Sequence, residues 1–358
     1  MNHINTSSFA LGVSHLAHLR YAFGGPVGCA QLKQTPADFQ VEEILSYPLT
    51  GQGEHLWLWV EKVGQNTDWV AQQLAKLANI RLRDIGFAGL KDRHGITRQW
   101  FSLYLPGQVD PEWAQWQIEG VRILSSTRHQ RKLQIGGLKG NRFIIRLREV
   151  TADPAQLDAR LQQMAGAGVP NYFGPQRFGR NEHNLVMAQR LFSGELTRLR
   201  PAQRSLYISA ARSFLFNQVL AERVRQGSWN QACSGDVFQL EGSSKWFADD
   251  NSADLAQRVL EYDLHPTGPL VGVEPSPATL GALQLETGVL QDYQAWCQGL
   301  CDLRLKTDRR ALRLKAQAVS WHWVQEAEQS MPDLVIQFEL AAGQYATVWL
   351  REAVELVE

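Results

Sequence analysis

The chain has 358 residues and a formal net charge of zero, with 36 Lys and Arg against 36 Asp and Glu. Its length is enough for two domains, and a hydrophobic content of 44 % predicts sizeable cores. No apolar run approaches the ~20 residues that span a bilayer, and the first residues lack the features of a signal peptide. The four cysteines are scattered without metal spacing, so we expect a soluble protein of the reducing cytoplasm.

Basic side chains cluster along the chain although the net charge is zero. Residues 121–148 carry eight basic side chains and no acidic one, and residues 177–212 and 304–315 are also rich in arginine and lysine. Acidic side chains collect in residues 249–254 and 326–358. Segregated charge creates a local positive field for phosphates, although an ordinary solvated surface is the alternative. A neutral chain of this kind is therefore compatible with a nucleic-acid partner.

The hydrophobic pattern predicts strands and helices without a regular βαβ rhythm, which is typical of the mixed α+β class. Predicted strands cover residues 55–62, 85–90, 97–105, 142–150 and 334–340. Predicted helices begin near Thr67, which is expected to cap the first one, at Pro154, and at Leu206. No glycine-rich phosphate loop precedes a helix and no histidine pair has metal spacing, so no cofactor and no metal are expected.

The stretch from Ile85 to Leu105 places a charged cluster between two strands. A short apolar run leads into Lys91, Asp92, Arg93 and His94. Burying a carboxylate without a partner costs on the order of several kcal/mol. Lys91 and Arg93 flank Asp92 in the sequence, so we expect these two cations to keep it ionised. An ionised aspartate below a substrate can act as a nucleophile or as a base. A turn carboxylate in a surface ion pair is the alternative.

Residues 171–184, NYFGPQRFGRNEHN, place aromatic side chains among glycines and arginines. The segment is too polar for a core element, so we expect exposed rings beside cations, an arrangement that holds unstacked bases. Rings that plug a core locally are the alternative.

Five arginines are candidates for contacts with a polyanion. In the strand of residues 142–150, three hydrophobic side chains share one face, which leaves Arg146 and Arg148 on the other. One face can enter a core while the other meets phosphates. We therefore expect Arg142, Arg146 and Arg148 of the strand, with Arg177 and Arg180 of the following segment, to bind RNA.

Several motifs resemble those of the TruD-type tRNA pseudouridine synthases. GLKDRHGITRQ, residues 89–99, is similar to the pattern that carries the family's nucleophilic aspartate, and residues 171–184 match its second motif at every fixed position. LKQTPADFQVEEIL, residues 32–45, resembles the N-terminal signature, and residues 338–352 resemble the closing pattern. These motifs follow one another in the expected order from Lys33 to Glu352.

The resemblance implies an enzyme that isomerises uridine to pseudouridine in tRNA, at position 13 of the D-arm. It makes Asp92 the catalytic residue, which either Lys33 or Lys91 can keep anionic, and puts Lys33, rather than Lys91, beside the base. It further implies that Asn171 and Phe173 line the uridine pocket. Phe338 is the expected second ring near the base, and an ordinary core phenylalanine is the alternative.

The resemblance also implies the domain organisation and the partners. A catalytic domain on a mixed, largely antiparallel sheet is expected over residues 1–196 and 317–358. An inserted α+β domain that grips the tRNA is expected over residues 197–316, with Arg309 and Arg310 near its end. The partner is tRNA, no protein partner or membrane is implied, and a monomer is the default. A non-catalytic RNA-binding protein or RNA chaperone is the alternative function; a carboxylate-dependent hydrolase would need a second acid that the sequence does not place near Asp92.

Overall fold

The computed structural model describes residues 19–134, 136–325 and 330–357. Residues 1–18 of the expected catalytic domain, and residues 326–329 and 358 of its acidic C-terminal stretch, lie outside this range. The strands are β1 (Cys29–Gln31), β2 (Phe39–Leu45), β3 (His55–Val63), β4 (Ile85–Phe87), β5 (Ile96–Tyr104), β6 (Val121–His129), β7 (Leu138–Leu147), β8 (Val169–Pro170), β9 (Val237–Leu240), β10 (Trp246–Ala248), β11 (Leu264–Leu270), β12 (Asp308–Ala311), β13 (Arg313–Leu314), β14 (Gln317–Val324), β15 (Asp333–Ala341) and β16 (Glu355–Val357). The helices are α1 (Thr67–Leu77), α2 (Pro154–Ala167), α3 (His183–Phe192), α4 (Pro201–Arg225), α5 (Leu255–Leu260), α6 (Leu280–Leu290), α7 (Gln294–Asp302) and α8 (Ala346–Leu350).

The described residues form two units, each with its own internal contacts. We call the first the sheet unit; it comprises the described parts of residues 26–165, 315–346 and 353–357. We call the second the helix-rich unit; it comprises residues 19–25, 166–314 and 347–352. The main segment of the helix-rich unit therefore begins about 30 residues before the start expected for the insert, since it also contains the second motif.

An eight-stranded sheet organises the sheet unit. Its strand order is β14-β15-β7-β2-β5-β3-β6, and β4 pairs with β5 outside this path. Only the β2–β5 pair is parallel among the pairs of this sheet, and the others are antiparallel. The expected mixed, largely antiparallel sheet of an α+β fold is thus confirmed.

Helix α1 covers one face of the sheet. Leu56, Leu58 and Val60 of β3 alternate toward the helix and pack with Val70 and Leu74, all of them with no exposed surface. In α2 the expected stripe of Leu157, Leu161 and Met164 is likewise buried. The indole N–H groups of Trp321 and Trp323 in β14 donate to Asp158 at 2.7 and 3.1 Å, which ties α2 to the edge of the sheet.

The helix-rich unit is built around α4 and a second, smaller sheet. The sheet has the order β10-β9-β11-β12, and α4 lies against β11, α3 and α6. Phe216 and Leu220 of α4 are buried, in agreement with the predicted stripe. The short strands β8 and β13 pair with each other, so the end of this segment lies beside the start of the second motif.

Two local predictions were wrong. Thr67 does not cap α1, because Asn66 is the residue before the first turn. The Thr67 hydroxyl instead accepts the backbone N–H of Lys91, in the loop between β4 and β5. The rings of the second motif, Tyr172, Phe173 and Phe178, are buried and not exposed, as the alternative of rings that plug a core locally requires. No helix in the described parts of the chain combines the length and the apolar character needed to cross a membrane.

Candidate active site

Asp92 lies in the loop between β4 and β5, and its carboxylate contacts Lys33. The Lys33 ammonium donates to Asp92 Oδ2 at 2.5 Å, and the backbone N–H of His94 donates to Asp92 Oδ1 at 2.9 Å. The Asp92 side chain is 25 % exposed and the Lys33 side chain 13 % exposed. A half-buried carboxylate is thus held by two donors and still reaches solvent.

Asp92 is held in its charged form. Burial alone would raise the pKa of this carboxyl group, but the hydrogen bond from Lys33, the N–H of His94 and the charge of Lys33 outweigh burial and lower its pKa. The expectation that Lys91 and Arg93 do this was wrong. Lys91 pairs with the buried Glu43 at 2.7 Å, and Arg93 donates to the carbonyl of Gly64 at 2.9 Å.

The other residues of the aspartate motif support this loop from below. Gln99 and Thr97 have no exposed surface on the helix-facing side of β5. The Thr67 hydroxyl donates to Gln99 Oε1 at 3.0 Å and accepts the N–H of Lys91 at 3.1 Å. Gly95 follows Asp92 closely, and a Cβ at this position would lie 2.3 Å from the carbonyl oxygen of Phe39. The motif therefore encodes the packing of the loop as well as its carboxylate.

Aromatic rings form the floor beside Lys33. The Lys33 ammonium lies 4.4 Å from the centre of the Phe39 ring, Phe39 contacts Phe143 edge to face at 6.1 Å, and Phe143 stacks on Phe338 at 5.5 Å. Lys33 itself has φ of 60°, in the left-handed region that side chains rarely adopt. Sequence reasoning did not single out Phe39, whose alternating strand pattern marks only a core position.

Phe338 has no exposed surface and sits in this ring stack. Its position on β15, opposite Phe143 of β7, follows from the register of the two strands. The ring belongs to the same unit as Asp92. A contact between Phe338 and a base stays a prediction, and the core role that was its alternative accounts for the contacts seen.

Asn171 and Phe173 belong to the helix-rich unit, where Arg310 joins them. Arg310 donates to Asn171 Oδ1 at 2.7 Å, and its guanidinium lies 4.1 Å from the centre of the Phe173 ring. The Asn171 amide donates in turn to the carbonyl of Ala311 at 2.8 Å. Sequence reasoning placed Arg310 only near a domain junction, because its partners lie about 140 residues earlier in the chain.

Asn217 of α4 explains how so polar a loop can be buried. Its amide accepts the N–H of Phe173 at 2.9 Å and donates to the carbonyl of Phe173 at 3.0 Å. Both backbone groups of Phe173 are thereby satisfied inside the protein, which removes most of the cost of burying them. Phe173 then packs edge to face against Phe216 at 5.5 Å.

The three sheet arginines expected to bind RNA are paired with carboxylates. Arg142 pairs with Glu42 and Glu339, Arg146 with Asp333, and Arg148 with Asp38 and Asp333. The side chain of Arg142 keeps 43 % of its surface exposed, whereas those of Arg146 and Arg148 keep 24 %. Ion pairing does not exclude contacts with phosphates, so the RNA-binding role of these arginines stays a prediction.

Arg177 and Arg180, the two candidates of the second motif, differ in their surroundings. Arg177 donates to the hydroxyl of Ser209 at 3.0 Å and lies 5.4 Å from the Phe173 ring centre. Arg180 is exposed in the short turn that precedes α3. Within the parts of the chain that the structure describes, no group of three or more His, Cys, Asp or Glu side chains is arranged to hold a metal ion.

The fold is shared with a solved structure. The structure is similar to the crystal structure of a Methanosarcina mazei TruD protein, with a TM-score of 0.75 over 94 % of this chain and 95 % of that one. Because the two sequences are only 22 % identical, this likeness shows the fold alone.

The family follows from the sequence comparisons. The model of the family "tRNA pseudouridine synthase D (TruD)" matches residues 18–196 and 182–353. A Hydrogenovibrio crunogenus protein named tRNA pseudouridine synthase D is 51 % identical over 341 residues, which cover 95 % of this chain and 97 % of that protein. A Pseudomonas putida protein of the same name is 47 % identical over 337 residues, 94 % of each chain. The chain belongs to the TruD family.

Proposed function

We propose that the chain isomerises uridine to pseudouridine in tRNA, at position 13 of the D-arm, with Asp92 as the reacting carboxylate. The names of the relatives support the activity and the tRNA substrate. The contact between Asp92 and Lys33 is the observation that carries the assignment of the carboxylate. An aspartate with a lowered pKa and a partly exposed side chain is charged at neutral pH and reachable by a substrate.

The reaction breaks the bond between N1 of uracil and C1′ of ribose and forms a bond between C5 and C1′. The proton on C5 is lost, and N1 gains a proton, so atoms and charges balance without an oxidant or a reductant. Asp92 can attack the sugar, attack the base ring, or remove a sugar proton, and each of these steps requires the ionised form. Lys33 favours that form and orients the carboxylate.

The base must leave its stack before Asp92 can act on it, and unstacking costs on the order of a few kcal/mol. Stacking of the base on an aromatic ring of the protein offsets about 1–3 kcal/mol of this cost. Arg310 and Phe173 present a ring with a guanidinium above it, and Asn171 presents amide groups beside it. We assign these side chains to the uridine pocket.

Asp92→Asn tests the reacting carboxylate. We expect the variant to lose at least ~10³-fold in turnover, because the amide can neither attack nor accept a proton, while its tRNA affinity stays near that of the parent chain. The measurement is tritium release from tRNA labelled at C5 of uridine, combined with filter binding on the same tRNA. Substantial turnover in Asp92→Asn would remove this aspartate from the mechanism.

Asp84→Asn is a matched control in the same unit. Asp84 precedes β4 and pairs with Arg81, whose side chain is 70 % exposed, so we expect full turnover from this variant. Mapping pseudouridine in the reacted tRNA tests the position separately. Modification elsewhere in the tRNA would contradict the D-arm assignment but leave the reaction in place, and binding without any tritium release from the parent chain would favour the non-catalytic alternative.

A further inference from the structure

Lys62 is a fully buried lysine under the loop that carries Asp92. It lies on the helix-facing side of β3 and is 1 % exposed. Its ammonium donates to the carbonyl of Asp92 at 2.9 Å, to that of Gln65 at 2.9 Å, and to that of Lys91 at 3.4 Å. All three hydrogens of the ammonium thus point to backbone carbonyls, two of them in the loop.

The positive charge of this lysine is unfavourable for folding at neutral pH. Among the ion pairs of the described residues, none joins Lys62 to a carboxylate within 4.0 Å. Burial lowers the pKa of Lys62 to about 8, although the charge of Asp92 opposes this shift and that of Lys91 adds to it. The unfolded chain therefore binds more protons than the folded chain between about pH 8 and 10.5, and the free energy of unfolding rises with pH across that interval. At pH 7 the charged Lys62 costs folding free energy.

We propose that Lys62 is a positioning residue, whose ammonium binds the carbonyls of Asp92, Lys91 and Gln65 and so holds the Asp92 carboxylate in its reactive orientation. The backbone of Asp92 is then held from below by Lys62, while its side chain is held from above by Lys33 and the N–H of His94. Neither contact alone fixes both ends of the residue. The proposal deepens the function proposed above and rests on it.

The charged groups around Lys62 are two residues of the loop and the partners of those two residues. Asp92 and Lys91 are the nearest, and both lie in the loop above it. Lys33 pairs with Asp92, and Glu43 of β2 pairs with Lys91, so each of these loop charges has a partner of its own. Lys62, by contrast, donates only to backbone carbonyls, two of them in the loop, so its loss leaves carbonyls rather than a carboxylate without a donor.

A neutral support of the same loop provides the matched comparison. The Thr67 hydroxyl accepts the N–H of Lys91 at 3.1 Å, and it carries no charge. Thr67→Val removes this bond and the bond to Gln99 at constant shape, whereas Lys62→Met removes the ammonium at nearly constant length. Both variants loosen the loop, but only the second removes a group that titrates.

The test measures kcat, KM and their pH dependence by tritium release, with unfolding temperatures for all variants. We expect Lys62→Met to lower kcat by about 10- to 100-fold with little change in KM, since misplacing a reacting group by about 1 Å has an effect of that size. In the parent chain and in Thr67→Val, kcat should decline as the pH rises through about 8, because a neutral amine has too few hydrogens for three carbonyls. Lys62→Met should lack this decline.

Hydrogen exchange gives a second readout that does not depend on turnover. The amide of His94, which donates to Asp92, should exchange faster in Lys62→Met than in the parent chain at equal unfolding temperature. A variant Lys62→Met with parental kcat and parental exchange would overturn the proposal, as would an alkaline decline that persists in this variant. A parent chain that releases no tritium would instead contradict the proposed function, and the exchange experiment would still test the positioning role.

Discussion

At the scale of single residues, two adjacent arginines of β12 have opposite surroundings. Arg309 has no exposed side-chain surface and donates to both oxygens of the buried Glu286, at 2.6 and 3.0 Å. Arg310 projects to the other side of the strand, as neighbouring residues in a strand must, and contacts Asn171 and Phe173. The first arginine ties β12 to Glu286 of α6, and the second is placed to shape the proposed uridine pocket.

Arg310→Met should reduce activity with only a modest loss of stability. The variant loses the hydrogen bond to Asn171 and the cation over Phe173, so the pocket is no longer held in one geometry. We expect kcat/KM for tRNA to fall by about 10- to 100-fold, as for other groups that position a substrate. The measurement is tritium release at several tRNA concentrations.

Arg309→Met, at the neighbouring position, should have the reverse effect. It leaves the Glu286 carboxylate buried without its cation, which costs about 3–5 kcal/mol in the free energy of unfolding. Urea titration of the two variants compares them directly. If both variants lost activity only in proportion to their loss of stability, Arg310 would be structural and not part of the pocket.

At the scale of elements, six strands of the large sheet are crossed by one row of alternating charges. The row runs through Arg122, Glu61, Arg98, Glu42, Arg142 and Glu339, one residue from each strand. Each neighbouring pair is also a directly opposed pair in the strand register. Since directly opposed opposite charges stabilise a sheet and a slipped register would break the row, it favours this one pairing of strands.

Arg98 lies at the centre of this row and should contribute most to it. Burial disfavours its charge, but the hydrogen bonds and charges of Glu42 and Glu61 outweigh burial and raise its pKa. We expect Arg98→Met to lower the free energy of unfolding by about 1–3 kcal/mol, because two half-buried carboxylates lose their donor. Urea unfolding at low and high salt measures the effect.

Arg81→Met serves as the control for this prediction. Arg81 pairs with Asp84 at 3.1 Å, but its side chain is 70 % exposed, so its removal should change the free energy of unfolding by less than about 0.5 kcal/mol. Equal losses in the two variants would show that the row adds nothing beyond ordinary surface ion pairs.

At the scale of the whole molecule, several elements were predictable and their long-range partners were not. The alternation of residues 142–150 and the stripe of α2 depend on neighbours within a few positions, so the sequence shows them. Asp92 instead meets Lys33, which lies 59 positions earlier, and local reasoning chose Lys91 and Arg93. Only the resemblance to the family supplied Lys33. The separation of two residues along the chain does not predict such a pair, because the pairing of distant strands in the sheet brings the two residues together.

Buried polar groups were the hardest features to predict. Lys62 sits in an alternating strand where the pattern indicates only a core position, and Asn217 sits in a helix where an amide is usually exposed. Each is buried because it satisfies the backbone of a distant loop that carries candidate site residues. The order of polar and apolar residues in the sequence cannot predict the burial of Lys62 and Asn217, because the partner of each is a backbone group and not a complementary side chain.

The distribution of charge leads to the last prediction, which separates RNA contacts from structural ion pairs. Arg180 is exposed, whereas Arg146 donates at 2.6 Å to Asp333, which has no exposed surface. If Arg180 contacts a phosphate, Arg180→Gln should weaken tRNA binding and reduce the slope of log Kd against log salt by about 1. Arg146→Gln should leave that slope unchanged and instead lower the free energy of unfolding by about 1–3 kcal/mol, because Asp333 loses a donor.

Filter binding from low to high salt, with urea unfolding of both variants, measures each effect. A reduced slope in both would mean that the sheet arginines leave their carboxylates for phosphates when tRNA binds, and a reduced slope in neither would move the tRNA-binding surface to other basic residues of this neutral chain.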